Sequence, residues 1–136
     1  MKFSKATNYA LHTLVHLAGI PKGKAIGVKP LAESQGVSQA YLSKILSTLV
    51  KGNIIESSPG VDGGYKLRQE ARSITFLQVI ELIEGSHSLF QCELSHAPER
   101  EGCLIQQVMD GAEHTLKDYL ASQTIHDIVE RNTQAN

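Results

Sequence analysis

Apolar residues in this chain recur mostly three or four positions apart, the spacing of helices that each bury one face. Ala6, Tyr9, Ala10, Thr13, Leu14 and Leu17 predict a first helix over residues 4–17, with Ser4 as its N-cap. Gly19, Pro21 and Gly23 end it in a loop. A short helix over 29–35 follows, its Pro30 suited to a first turn, and Gly36 breaks it. Ser38 caps a third helix to residue 51, where Gly52 is a stop. The period then changes. Residues 54–57 and 65–67 read as short strands around a tip of Pro59, Gly60, Asp62, Gly63 and Gly64, a β-hairpin with an enlarged loop. Helical spacing returns with Phe76, Val79, Ile80 and Ile83 behind a Thr75 cap, predicting a helix to residue 84 that Gly85 ends. Residues 86–102 carry no period. A long helix is predicted over 103–120 and a last short one over 125–131, capped by Thr124.

The second and third helices meet at Gly36 with a telling set of side chains. A helix-turn-helix needs apolar contacts between its helices, a small residue at their close approach and glycine in the turn. Leu31, Ala32, Gly36, Val37, Leu42 and Ile45 fall on those positions. Leu31, Val37, Leu42 and Ile45 are the expected buried contacts, whereas Gln35 is polar where an apolar residue is preferred. A helical hairpin of an unrelated bundle is the plainer alternative. Ser38, Gln39, Ala40, Tyr41, Ser43 and Lys44 are left on the outer side or first turn of the third helix, which enters the major groove in this motif. Serine and glutamine can hydrogen-bond base edges or phosphates, and tyrosine can reach a phosphate. Lys44 and Lys51 offer phosphate charge.

Three helices followed at once by a hairpin make the winged-helix order. The wing carries Lys66 and Arg68 beside Gly60, Gly63 and Gly64. Glycine lets a backbone approach a phosphate closely, and basic side chains are drawn to a minor groove. A turn that needs glycine only for its φ angles explains the same glycines. The fold class expected is mainly α with a small β-hairpin wing: a winged helix-turn-helix plus a long C-terminal dimerisation helix. Its divisions are 1–74 for DNA binding, 75–102 for a linking helix and sensor loop, and 103–136 for the dimerisation and C-terminal helices.

Charge sharpens this picture. The net charge of −1 divides into +6 over residues 1–72, with ten Lys/Arg and four Asp/Glu, and −7 over 73–136, with three and ten. A polyanion would bind the first half and be repelled by the second. Aromatics at 5% and no tryptophan exclude a stacking platform for single strands. No run approaches the roughly 18 apolar residues of a membrane span, and the N-terminus lacks the apolar core of a signal peptide. A cytoplasmic protein is expected, with Cys92 and Cys103 as thiols. No nucleophile–base pair, phosphate loop ahead of a lysine, or metal triad is evident, so no enzyme is expected.

Residues 3–67 resemble the Rrf-two (Rrf2) family of winged-helix regulators. The resemblance rests on the opening run from Ser4 to Ala10, on Leu31, Ala32 and Glu33, on Val37 and Ser38 with Tyr41 and Leu42, and on Gly63, Gly64 and Tyr65 in the wing. Thr75 to Gly85 looks like the helix that the family places after the wing, so nearly the whole chain is covered. The resemblance implies a homodimer, a palindromic operator on double-stranded DNA and a repressor role in transcription regulation. It implies groove-facing Ser38, Gln39, Tyr41 and Ser43, and Gly60 at the wing tip. Pro59 stands where the family often has arginine, and Ser43 where glutamate is common. Members sense iron–sulfur status, nitric oxide, redox state or cysteine supply.

The family's cluster-binding members carry three cysteines in the loop after the fourth helix, whereas this chain has Cys92 and Cys103 alone. A cluster needs four ligands, mostly thiolates. His87, His96 or Glu93 would have to complete it. No cofactor is expected, and the iron–sulfur reading is the alternative. A redox or nitrosative thiol switch is the simpler functional reading, since the dipole at the start of the long helix lowers the Cys103 pKa, with Glu99 and Glu101 opposing it; two inert thiols packed in a small protein are the plainer alternative. His12 and His16 lie one turn apart but lack further ligands, and His114 and His126 read as structural. Leu104, Ile105, Val108, Met109, Ala112, Leu116 and Leu120 form an apolar stripe for a partner helix or for the chain's own first helix. A winged-helix module that binds protein instead of DNA is the remaining alternative.

Overall fold

The computed structural model describes residues 2–93 and 103–135. His96, Glu99 and Glu101, named above, lie outside them. The described residues form α1 (Lys5–Ala18), α2 (Val28–Gln35), α3 (Gln39–Lys51), β1 (Ile55–Ser58), β2 (Gly64–Leu67), a 3₁₀ turn (Ala71–Ser73), α4 (Phe76–Glu84), α5 (Leu104–Ser122) and α6 (Ile125–Ala135).

The predicted caps set the helix starts. Ser4, Ser38 and Thr75 each accept a hydrogen bond from the backbone N–H three residues on, at Thr7, Tyr41 and Gln78. Thr124 and Asp127 exchange bonds at the head of α6. The Thr124 N–H donates to the Asp127 carboxylate at 2.9 Å, and the Asp127 N–H to the Thr124 hydroxyl at 3.2 Å. Gly36 ends α2 in the left-handed region at φ 68°. The last helix runs past the expected residue 131, to Ala135.

The hairpin pairs Ile55 with Leu67 through to Ser58 with Gly64. Ile26 adds a single antiparallel bridge to Tyr65, with N–H···O distances of 3.0 and 2.8 Å. Two of the wing glycines are sterically required. A Cβ on Gly64 would lie 2.5 Å from the Ile26 carbonyl, and one on Gly63 would collide with the Ser58 and Pro59 backbone. The chain's own backbone, folded close beneath the wing, excludes side chains there.

One core joins the elements. Leu14, Leu31, Leu42, Leu46, Leu49, Ile54, Ile74 and Val79 are fully buried, and so is Ile125 of α6. Ile125 is carried in by backbone bonds from Ile125 to Ile74 at 3.0 Å and from Phe76 to Gln123 at 2.9 Å. Val37 is half-buried rather than buried, because it sits at the turn between α2 and α3. Gln35 earns its polarity: its Nε2 donates at 2.7 Å to the hydroxyl of Thr13, a side chain with no solvent exposure. α4 packs on α1 and α3, α5 on α4, and α6 on α1 and the 3₁₀ turn. Among the described residues no helix is long and apolar enough to cross a membrane.

Candidate nucleic-acid interface

Local chemistry fixes how α3 meets solvent. Its inner face supplies Leu42, Ile45, Leu46 and Leu49 to the core. The opposite face leaves Gln39, Ala40, Tyr41, Lys44, Ser47 and Lys51 exposed, with Ser43 half-buried. Ser38 is exposed too, and its Oγ accepts from the Tyr41 N–H at 3.1 Å. The Ser38 hydroxyl can still donate its own proton to a ligand. Tyr41 stands edge-on to Tyr9 of α1, ring centroids 5.7 Å apart at 88°. That contact orients the phenol and couples α1 to α3. Nothing in the periodicity singled out Tyr9 for this role.

The wing divides into two chemically different parts. At its tip, Gly60 has φ 96° with open space around it, and Val61 is fully exposed. No cation sits there. Lys66 and Arg68 lie at the base instead, lining a cleft of about 590 Å³ with Lys22, Lys24, Arg72 and Glu56. Lys66 pairs with Glu56 across the hairpin at 3.6 Å. The structure therefore brings Tyr9 to Tyr41 and gathers the basic side chains below the wing, apart from its glycine tip.

The family model described as "Iron-dependent Transcriptional regulator" (Rrf2) matches residues 3–131. The chain belongs to the Rrf2 family. A helix-turn-helix-type transcriptional regulator of Lactococcus lactis, YffB, is 30% identical over the whole of this chain and 91% of its own length. Among solved structures, CymR, the global cysteine regulator of B. subtilis, superposes with a TM-score of 0.79 at 26% identity, covering 96% of this chain and 98% of that one. IscR of T. potens gives 0.80 at 26% identity, covering 100% and 91%. This Rrf2 protein is thus a winged-helix, DNA-binding transcriptional regulator.

Two further regions of the Rrf2 protein hold the cysteines and the predicted apolar stripe. Cys103 is the N-cap of α5, its sulfur accepting the Gln106 N–H at 3.4 Å. That bond, with a hydrogen bond from the Cys92 side chain and the Ile105 N–H, holds the Cys103 thiol below its ordinary pKa. No disulfide joins the two cysteines. The second region is α5 itself, where no residue is buried. Leu104, Ile105 and Val108 are 66–74% exposed, and Ala112 is exposed on the same side. Tyr119 extends that stripe at 61% exposure and was not foreseen. Met109, Leu116 and Leu120 are half-buried, the two leucines facing Leu77 and Ile80 of α4. The predicted stripe thus splits between two faces.

His12 bonds the Asn8 carbonyl at 2.8 Å, while His114 and His126 pair with Asp118 and Glu130 one turn on. Among the described residues, no three His, Cys, Asp or Glu side chains gather as a metal site.

Proposed function

We propose that this Rrf2 protein works in the cytoplasm as a homodimer that grips a palindromic operator and represses transcription from it. The observation that carries the reading is α3: one face is locked in the core while Ser38, Gln39, Tyr41 and Lys44 stand in solvent at its first turns. In this reading Ser38, Gln39, Tyr41 and Ser43 meet the major groove, with Lys44 and Lys51 on phosphates. Gly60 brings the wing tip against the backbone, and Lys66 and Arg68 add flanking charge. The exposed stripe of α5 supplies the seam, through Leu104, Ile105, Val108 and Ala112 with Tyr119 at its far end. Met109, Leu116 and Leu120 support it from the α4 side. A two-fold seam sets two reading helices about 34 Å apart, one duplex turn.

The family description names iron, but the donor set here does not fit a cluster. Two cysteines are present where four ligands, mostly thiolate, are needed. The protein is therefore read as a regulator without a cofactor, its chemical input falling on Cys92 and Cys103.

The test selects an operator from random duplexes and measures affinity by gel shift. Tyr41→Ala and Lys44→Ala each raise the Kd about tenfold or more, roughly 1.4 kcal/mol. Tyr41→Phe keeps the ring contact with Tyr9 and separates the phenol's role from the packing. Unchanged affinity in Tyr41→Ala and Lys44→Ala, with unaltered melting, refutes the placement of α3 in the groove.

A further inference from the structure

The cleft below the wing concentrates charge that α3 does not use. Five cations line it, Lys22, Lys24, Lys66, Arg68 and Arg72, against two carboxylates, Glu56 and Glu70. Its balance of +3 is half of the +6 carried by residues 1–72. Lys66 pairs with Glu56 at 3.6 Å, whereas Lys22, Lys24, Arg68 and Arg72 enter no ion pair among the described residues.

Three segments of the chain bring these cations together, and a backbone hydrogen bond holds each. The Lys24 N–H donates to the Pro21 carbonyl at 3.1 Å and closes the turn that carries Lys22 and Lys24. The Arg68 N–H donates to the Ile54 carbonyl at 2.9 Å, which fixes the exit of β2. The Ser73 N–H donates to the Glu70 carbonyl at 2.8 Å and sets the 3₁₀ turn of Arg72. Leu17, Ala18 and Ile20 add an apolar wall. A concavity rich in one sign of charge focuses its field on an anion that enters, and a preformed one spends little on ordering.

We propose that this cleft is an effector site for a small organic phosphate, a sugar phosphate or nucleotide, whose binding loosens the operator. The proposal rests on the DNA-binding reading for its output alone, and it adds an input separate from the cysteines. The volume of about 590 Å³ suits a ligand of that size. A duplex, whose major groove alone is about 12 Å wide, reaches only the rim. Phosphodiesters carry no hydrogen-bond donor, so Glu56 and Glu70 repel a DNA strand from the interior. Sugar hydroxyls and base N–H groups are donors that these carboxylates accept, while the cations take the phosphate. The apolar wall covers the ring. In the DNA-binding reading Lys66 and Arg68 flank the duplex. A bound phosphate cancels their charge, so ligand and operator oppose each other, each weakening the other by the same factor.

Calorimetry on the full chain, without DNA and at about 0.15 M salt, uses three probes: ribose 5-phosphate, AMP and inorganic phosphate. One of the organic probes is expected to bind once per chain, about tenfold or more tighter than inorganic phosphate. Lys24→Ala and Arg72→Ala, both at exposed positions, weaken that binding about tenfold or more with unchanged melting. Lys2→Ala removes a charge outside the cleft and leaves it as it was. Glu70→Gln narrows the gap between organic and inorganic phosphate. In gel shifts the saturating organic probe raises the operator Kd about tenfold or more. Lys24→Ala and Arg72→Ala keep their operator affinity and respond only at higher probe concentration. Equal binding of inorganic phosphate, no saturable binding of either organic probe, or binding untouched by Lys24→Ala and Arg72→Ala would each overturn the proposal, and so would a bound probe that leaves operator affinity unchanged. Loss of operator affinity in both variants, with no probe bound by the wild type, would give the cleft to duplex phosphates instead. A protein that binds the organic probe but no duplex refutes the DNA-binding reading and not the site.

Discussion

Glu84 ends α4 in sequence but caps α1 in space. Its carboxylate accepts from the Ser4 N–H, the Ser4 hydroxyl and the Thr7 hydroxyl, and these bonds hold its pKa below 4.5, the Ser4 hydroxyl contributing most. A carboxyl depressed in the folded state adds stability above its unfolded pKa, and that stability is lost as pH falls through the folded value. Glu84→Gln is therefore expected to lower unfolding stability at pH 7 by about 1–2 kcal/mol, the scale of hydrogen bonds to a charged group. In urea titrations the gap to wild type narrows on acidification; a gap of equal size at pH 7 and pH 3 would show that the charge is not engaged. At this scale the sequence was informative wherever partners are local. The Ser4, Ser38 and Thr75 caps needed only the next three residues. Glu84 and Ser4 lie 80 positions apart, and Gln35 and Thr13 lie 22 apart, so no local pattern could pair them. Lys66 was legible as a basic wing residue, but its partner Glu56 and its place in the cleft came from strand register.

Helices with strong caps and a clear apolar face came out within a few residues of their predicted bounds, because one face and one cap define each. α5 was harder. Its apolar residues lie on more than one face, and a stripe read as single divides between Leu116 and Leu120 toward α4 and Ile105 and Val108 toward solvent. Periodicity shows that a side chain is apolar at the right interval, not which neighbour it meets. The exposed part gives a prediction. Ile105→Asp combined with Val108→Asp puts four charges into the proposed two-fold seam and is expected to weaken self-association about a hundredfold or more by sedimentation, since desolvating unpaired charge is costly. The monomer's circular dichroism and core stability stay unchanged, as neither residue is buried. A variant that remains dimeric at micromolar concentration would place the seam elsewhere.

At the scale of the whole molecule, opposite charge in the two halves makes binding to DNA an ion-exchange reaction. Each phosphate neutralised contributes about 0.9 to the slope of log affinity against log salt. Lys44 occurs twice in the proposed dimer, so Lys44→Ala is expected to make that slope shallower by about 1.8 across all sequences bound. An identical slope in filter-binding titrations would place Lys44 away from the phosphates. Ile125 carries a different consequence. The first turn of α6 plugs the core of the part that reads DNA, clasped there by Ile74 and Phe76. A fragment cut after the wing would be left with an open hole, so the reading head is not a portable module: whatever befalls the tail of the chain is felt in the groove.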